Sequence, residues 1–341
     1  MNKITIIGLG LIGNSIGMAI KRAAGQPAGS ATAPTAQGIR VVGFDPSRER
    51  ESAALRRYNS VDEIAPDLQR AVQGAELVVI ATPSGAVREV MEAIAPFMEE
   101  GATVTDTLPA KEQVMSWAGE LLGDRVGFVG GHPMSKSLDL SLASDDALPS
   151  ADLFYKAHYC VLPSPRTGSE SLNRVIWLVE VLGAQPRFID MLEHDSFVAA
   201  ASQLPAIASA NLLRITAGGP TWSDMSVFAG EQYDAVIEPL EADPERLTEG
   251  LLQNRQALVR WLDQYILSMY ELRDMLAGSD RNALLDTMQR AHTAQASQNN
   301  RDERDNELRS ELRQAIQETH PVRGLLGGYI SDRVFRKKDE K

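Results

Sequence analysis

A single cysteine, Cys160, stands in 341 residues. That scarcity excludes an intrachain disulfide and a metal centre built from several thiolates, and leaves Cys160 reading as a small buried hydrophobe. Positive charge is also short. With 34 Lys and Arg against 46 Asp and Glu, the formal charge of −12 excludes a broadly cationic surface for nucleic acid or anionic membrane. No uninterrupted apolar run of about 18 residues occurs, and no basic segment leads into an apolar stretch with a small-residue cleavage site. A cytoplasmic protein without nucleic-acid or membrane partners is the expectation. Histidines number 5. The spacing of His158, His194, His292 and His320 assembles no metal site, so they read as structural or exposed and no metal is expected.

What is present begins at once. The β-branched run Ile4-Thr5-Ile6-Ile7 feeds into Gly8-Leu9-Gly10-Leu11-Ile12-Gly13 and then a helix-like stretch, Asn14 to Ala24. This is the order a dinucleotide pyrophosphate requires: Gly8 for the tight turn, Gly10 for room beside the phosphates, Gly13 for close helix–strand packing. Leu11 and Ile12, at the helix start, belong to the same expected cofactor contact. A second strand, Ile39 to Phe44, ends in Asp45, the carboxylate expected to hold the adenosine ribose and to repel the extra phosphate of NADP. Asp45 lies further from Gly13 than the usual ~20 residues, because the uncharged, small-residue segment Gly25 to Gly38 reads as a surface insertion. NAD is favoured, and Arg48 just beyond Asp45 leaves NADP open.

The remaining pattern repeats strand and helix signals: strands at Leu77–Pro83, Thr103–Asp106, Val126–Gly131 and Tyr159–Pro163, with helices at Arg48–Tyr58, Val87–Phe97 and Lys111–Leu122. The fold class predicted is α/β, an N-terminal Rossmann-type doubly wound parallel sheet closed by Tyr159–Pro163, followed by a mostly helical second domain. Helical apolar spacing at Ser171–Leu182, Asp195–Thr216 and Leu247–Leu276 supports the second half. The domains expected are 1–163 for dinucleotide binding, 164–295 for substrate and dimerisation, and 296–341 as a charged extension. In that extension Arg301, Asp305 and Arg309 have helical ion-pair spacing, whereas Gly324 to Ile330 has no readable role.

Strand ends at Thr82, Asp106 and His132 are expected to line one crevice, with Thr82, Pro83 and Asp106 near the cofactor. In Gly130-Gly131-His132-Pro133-Met134 the histidine follows a strand and is stiffened by proline. A neutral imidazole there can accept a hydroxyl proton while hydride leaves the same carbon. Glu193 and Asp195 read as caps of the long helix that begins there.

The glycine fingerprint, Val104-Thr105-Asp106, Gly130-Gly131-His132-Pro133-Met134 and the helical second half together resemble the prephenate and arogenate dehydrogenases of tyrosine biosynthesis, over roughly residues 3 to 275. The resemblance implies oxidation of a ring alcohol with NAD, proton removal by His132, loss of carbon dioxide to aromatise the ring, and a homodimer. A small carboxylated substrate requires donors, for which Lys111, Ser135, Lys136 and Gln203 are the candidates; each lysine also reads as an ordinary solvated side chain. Several positions depart from the family pattern. Pro109 replaces a serine, Gln203 and Ala206 replace two histidines, and Val227 stands where an arginine commonly binds carboxylate. Those departures leave open an oxidoreductase for another carboxylated alcohol, or a non-enzymatic cofactor sensor.

Overall fold

The computed structural model describes residues 1–25, 35–135, 147–237 and 244–297. Its first compact unit, Met1–Gln264, contains an eight-stranded sheet and the helices that flank and follow it. In chain order these are β1 (Lys3–Ile7), α1 (Leu11–Ala24), β2 (Arg40–Phe44), α2 (Arg48–Ser52), β3 (Glu63–Ile64), α3 (Leu68–Val72), β4 (Leu77–Ile80), α4 (Val87–Ile94), β5 (Thr103–Asp106), α5 (Glu112–Leu121), β6 (Gly127–Pro133), β7 (His158–Pro163), α6 (Ser169–Val181) and β8 (Gln185–Phe188). Then come α7 (Met191–Val198), a π-helical turn (Ala199–Gln203), α8 (Leu204–Ile215), α9 (Trp222–Met225), α10 (Glu231–Ile237), α11 (Pro244–Gln253) and the start of α12 (Arg255–Ala277). The second unit, Tyr265–Lys341, has as its described part the rest of α12 and a helical stretch over 281–297.

The strand order is β3-β2-β1-β4-β5-β6-β7-β8. The direction of winding reverses between β1 and β4, which opens a crevice at their carboxyl ends. The β-branched composition of β1 and β4 fits strands covered on both faces, and both are buried throughout. Period-two alternation sorts their side chains: Leu77 and Val79 join Ile4, Ile6 and α1 in one core, whereas Val78 and Ile80 join Val87, Met91 and Ile94 of α4 in the other. The helical spacing of those three α4 residues with Val90 gives that helix its buried stripe.

The sheet departs from the sequence expectation in two ways. First, β7 runs antiparallel to β6, so the sheet is mixed rather than wholly parallel. Second, β7 does not close it: α6 packs Val175, Leu178 and Val179 into the β1 core, and β8 pairs with β7. Residues 164–188 therefore belong to the sheet layer, not to the helical half. The four residues of β8 are all exposed and include Pro186, so neither alternation nor an apolar run announced them.

The segment Met191–Ile215 spans 25 residues and contains an 18-residue window of mean hydropathy 1.3, long and apolar enough to cross a membrane by length and composition. Its buried positions include His194, Asp195 and Gln203, all hydrogen-bonded to protein groups. Only 22% of that window is buried, and its buried polar groups are satisfied by other elements of the protein. Residues 26–34 of the expected Gly25–Gly38 insertion, Lys136, and residues 298–341 of the expected charged extension lie outside the described residues.

Candidate active site

The fingerprint glycines have separate steric tasks. Gly8 has φ +96°, and a Cβ there would lie 2.5 Å from the Ala81 carbonyl oxygen. A Cβ on Gly13 would sit 1.9 Å from the Gly8 carbonyl oxygen, so only hydrogen lets α1 approach the turn. At Gly10 nothing stands within 4 Å of the Cβ position. Gly10 is the N-cap of α1 and no side chain caps that end. The helix's first amide donors are thus left for an anion, and the helix dipole favours one.

These residues open onto a cavity of about 1130 Å³ lined by Gly8, Gly10, Leu11, Ile12, Asp45, Thr82 and Pro83, each of them expected from sequence. Thr82 Oγ1 is buried without a hydrogen-bond partner among the described residues, a group waiting for a ligand. Asp45 is buried and accepts from the amides of Leu9 (2.8 Å) and Ser47 (2.9 Å). Each carboxylate oxygen keeps a second acceptor site for a ribose hydroxyl. Arg48 does not line this end of the cavity; Arg50 and Arg57 do. An open glycine cradle, an uncapped helix start, an orphaned hydroxyl and a carboxylate at the second strand fit a dinucleotide.

The chemical end is assembled from distant segments. His132, partly exposed near the end of β6, makes a 2.9 Å contact from Nδ1 to Nε2 of His194 on α7. His194 Nδ1 lies 2.8 Å from Asp195 Oδ1. An ionised carboxylate can only accept, so His194 donates through Nδ1 and its Nε2 accepts from His132 Nδ1–H. This leaves Nε2 as the basic nitrogen of His132. Burial, reinforced by His194 and Lys111, holds the His132 pKa well below the usual imidazole value. The ring is therefore neutral at physiological pH.

Asp195 also accepts from the amides of Lys111 (2.9 Å) and Glu112 (2.8 Å), so a residue of the helical half caps α5. The α7 cap itself is Asp190, not Glu193 or Asp195. The reading of His194 as structural or exposed is likewise corrected, since it is buried between His132 and Asp195. A histidine 62 residues away from its partner leaves no trace in local spacing.

Three other assignments change. Asp106, expected beside the cofactor, is fully buried and accepts from Gly131 N–H (3.1 Å), Leu108 N–H (2.9 Å) and Lys111 Nζ (2.5 Å). It ties β5 to β6 and is not among the cavity-lining residues, whereas its neighbour Thr107 is. Lys111, expected to meet a carboxylate, is equally buried, with Nζ spent on Asp106 and the Gly131 carbonyl (2.6 Å). Burial lowers the Lys111 pKa while Asp106 opposes that shift. Gln203 lines the cavity, but its amide is engaged by the Gly250 carbonyl (3.0 Å) and Asn254 Nδ2 (2.8 Å). It joins the π-turn to α11 and to Asn254 just before α12. Ser135 is partly buried beyond β6, and Lys136 lies outside the described residues.

Gly131 permits this arrangement because a Cβ there would come within 2.5 Å of the Asp106 carbonyl oxygen and 2.6 Å of the Tyr159 hydroxyl. His132 is not itself among the residues lining the cavity. Thr107, Leu108 and Pro109 after β5 line the cavity, as do Val198 and Ser202, one and two turns beyond the His194 that His132 contacts. Val227 is 77% exposed and no residue of 222–229 lines the cavity. The cation that the helical half contributes to the lining is Arg246 on α11, which sequence reading missed because a lone arginine on a helix carries no motif.

Comparison with known proteins agrees with this layout. The nucleotide-binding-domain model of prephenate dehydrogenase matches residues 29–187, and the dimerization-domain model of the same enzyme matches 190–290. A prephenate dehydrogenase of Bacillus subtilis is 28% identical over 285 residues, 82% of this chain and 72% of the relative. Among solved structures, arogenate dehydrogenase of Synechocystis superposes with a TM-score of 0.71 at 25% identity, covering 86% of this chain and 99% of that one. Prephenate dehydrogenase from Aquifex aeolicus, solved with hydroxyphenyl propionate and NAD+, shares the fold with a TM-score of 0.73 at 18% identity, over 87% of this chain and 98% of that one. The two family matches adjoin where β8 ends, as the sheet predicts, and together take in well over half of the sequence. With the dinucleotide cradle and the His132 cluster in the same chain, these matches make the protein a divergent member of the prephenate and arogenate dehydrogenase family, an NAD-dependent dehydrogenase.

Proposed function

We propose that the chain oxidises and decarboxylates prephenate or arogenate, with His132 as the general base. The observation that carries this reading is the Asp195–His194–His132 hydrogen-bond chain, near the end of a strand of the same sheet that carries the dinucleotide cradle, in a chain of this family. Bound NAD supplies the hydride acceptor, held by the Gly8, Gly10 and Gly13 turn, Asp45 and the Thr82 hydroxyl. His132 Nε2 takes the proton of the ring hydroxyl as hydride leaves the same carbon. His194 orients the ring and Asp195 keeps His194 in its Nδ1–H form, so the basic nitrogen is fixed before substrate arrives. Oxidation produces a ketone conjugated with the ring diene; the ring carboxylate then leaves as carbon dioxide, its electron pair enters that system, and the new phenolate oxygen recovers a proton from His132.

Arg246, which lines the cavity from the helical half, is assigned to a substrate carboxylate, as a guanidinium can bind it in bidentate fashion. The protein acts as a homodimer. Leu192, Phe197 and Ile215 on the 191–215 segment are 61%, 48% and 61% exposed, and burial of such side chains is the driving force of subunit pairing. The purified chain, given each substrate in turn with NAD, should yield NADH and carbon dioxide in equal amounts. Cofactor binding without turnover of either substrate would overturn the reading, and turnover of another hydroxy acid without gas release would redirect it.

A further inference from the structure

The proposed reaction gives Cys160 no task, yet Cys160 stands directly opposite His132 in the antiparallel β6–β7 register. Opposed residues of an antiparallel pair project from the same face. One ligand atom each from His132, Cys160 and His194 lies within 4.8 Å of the others. A zinc-type ion with nitrogen at ~2.0 Å and sulfur at ~2.3 Å needs its ligand atoms roughly 3.3–3.8 Å apart, a distance small side-chain rotations reach. Two imidazoles and a thiolate are the donors that thiophilic divalent cations select over magnesium or calcium. Asp195, on the far edge of the His194 ring, supplies the outer carboxylate that commonly orients a metal-binding imidazole.

We propose that His132, Cys160 and His194 form a capture site for a thiophilic divalent cation of the zinc type, and that its occupancy silences His132. Binding forms metal bonds to His132 Nδ1, His194 Nε2 and Cys160 Sγ. The proton shared by the two imidazoles moves to His132 Nε2, and the thiol proton passes to solvent. One proton is released for each cation bound. No electrons are transferred. An ordinary cysteine thiol is mostly protonated at neutral pH, so the proton released on binding is measurable. His132 Nε2, now protonated, can no longer accept the hydroxyl proton of a substrate. Inhibition thus comes from tautomer capture, without a ligand in the cavity. The binding part stands on geometry alone; the loss of activity rests on His132 being the base proposed above.

The test uses the full chain freed of metal with a chelator and titrated with cadmium, whose bond to thiolate gives an ultraviolet charge-transfer band, with proton release followed by an indicator dye. Wild-type protein should bind one cadmium per chain with the band and one proton. Cys160→Ser and Cys160→Ala should lose the band, keep uninhibited turnover, and require at least about tenfold more zinc for half-inhibition, since even outer-shell losses cost 10–100-fold in metal affinity. Absence of the band in folded wild-type protein, or equal zinc sensitivity in both variants, overturns the site. A normal band and proton release in a chain that turns over neither prephenate nor arogenate upholds the cation site and rejects the dehydrogenase reading instead.

Discussion

The cofactor end and the chemical end of this molecule are built on opposite plans. At the cofactor end, consecutive residues 8 to 13 shape a backbone surface whose main requirement is the absence of side chains. At the chemical end, His132, His194 and Asp195 come from a strand and a helix separated by most of 60 residues, and their value lies in side-chain hydrogen bonds. At Gly8 and Gly13 the first plan tolerates no added atoms. The second tolerates conservative change in shape but not loss of a donor or acceptor. Asp195 serves both sides of that second plan, since it holds His194 and also caps α5.

The largest expected effect tests the steric plan. Gly13→Ala places a methyl 1.9 Å from a backbone oxygen; the clash should cost about 3 kcal/mol, the upper part of the range for overpacking, and abolish NAD binding measured by fluorescence titration. A variant that binds NAD normally would remove the distinction between the two ends. At the chemical end, His194→Asn should lower kcat by roughly 100-fold, the lower end of the range for positioned acid–base catalysis, with KM for NAD unchanged. The same variant should move the acid limb of the pH profile upward, because His194 is one cause of the lowered His132 pKa. A purely structural His194 would alter stability without moving that limb.

How far the sequence was legible follows the same division. The six-residue fingerprint, Asp45 and Thr82 were readable because each task is local to a strand–turn–helix connection. His132 was singled out through its flanking Gly131 and Pro133, although it is not among the residues lining the cavity. Lys111 and Asp106 were recognised as site residues but given other partners, because Gly131, which shares hydrogen bonds with both, reaches them only when β5 and β6 are side by side. Gln203 looked available to substrate for a similar reason: Gly250 and Asn254, which engage it, lie about 50 residues on. His194 and Arg246 had no motif at all. The short, exposed β8 carried no apolar signal, which moved the expected end of the sheet to Pro163.

Smaller effects sharpen the comparison further. Arg246→Ala should raise KM for the carboxylated substrate about tenfold or more, the equivalent of a lost charged hydrogen bond of ~1.5 kcal/mol or more, and leave kcat nearly unchanged. Equal losses in kcat and kcat/KM would instead put Arg246 in the transition state. The pH dependence has a fixed sign. Because the folded-state pKa of His132 lies below the ordinary 6.5, the unfolded chain takes up that proton first. Its contribution to stability should therefore decline as pH falls below 6.5 and level off beneath the folded value. Turnover should correspondingly hold from neutrality to below pH 6.5 before its acid limb begins. Denaturant titrations and kcat/KM profiles over that range check both.

The most direct test of the account is a paired measurement on His132→Asn, with NAD affinity by titration and single-turnover NADH formation from prephenate or arogenate. The hydrogen-bonded imidazole acting as base predicts unchanged NAD affinity and a hydride-transfer rate depressed roughly 100-fold or more. A variant that reduces NAD at the wild-type rate would contradict it.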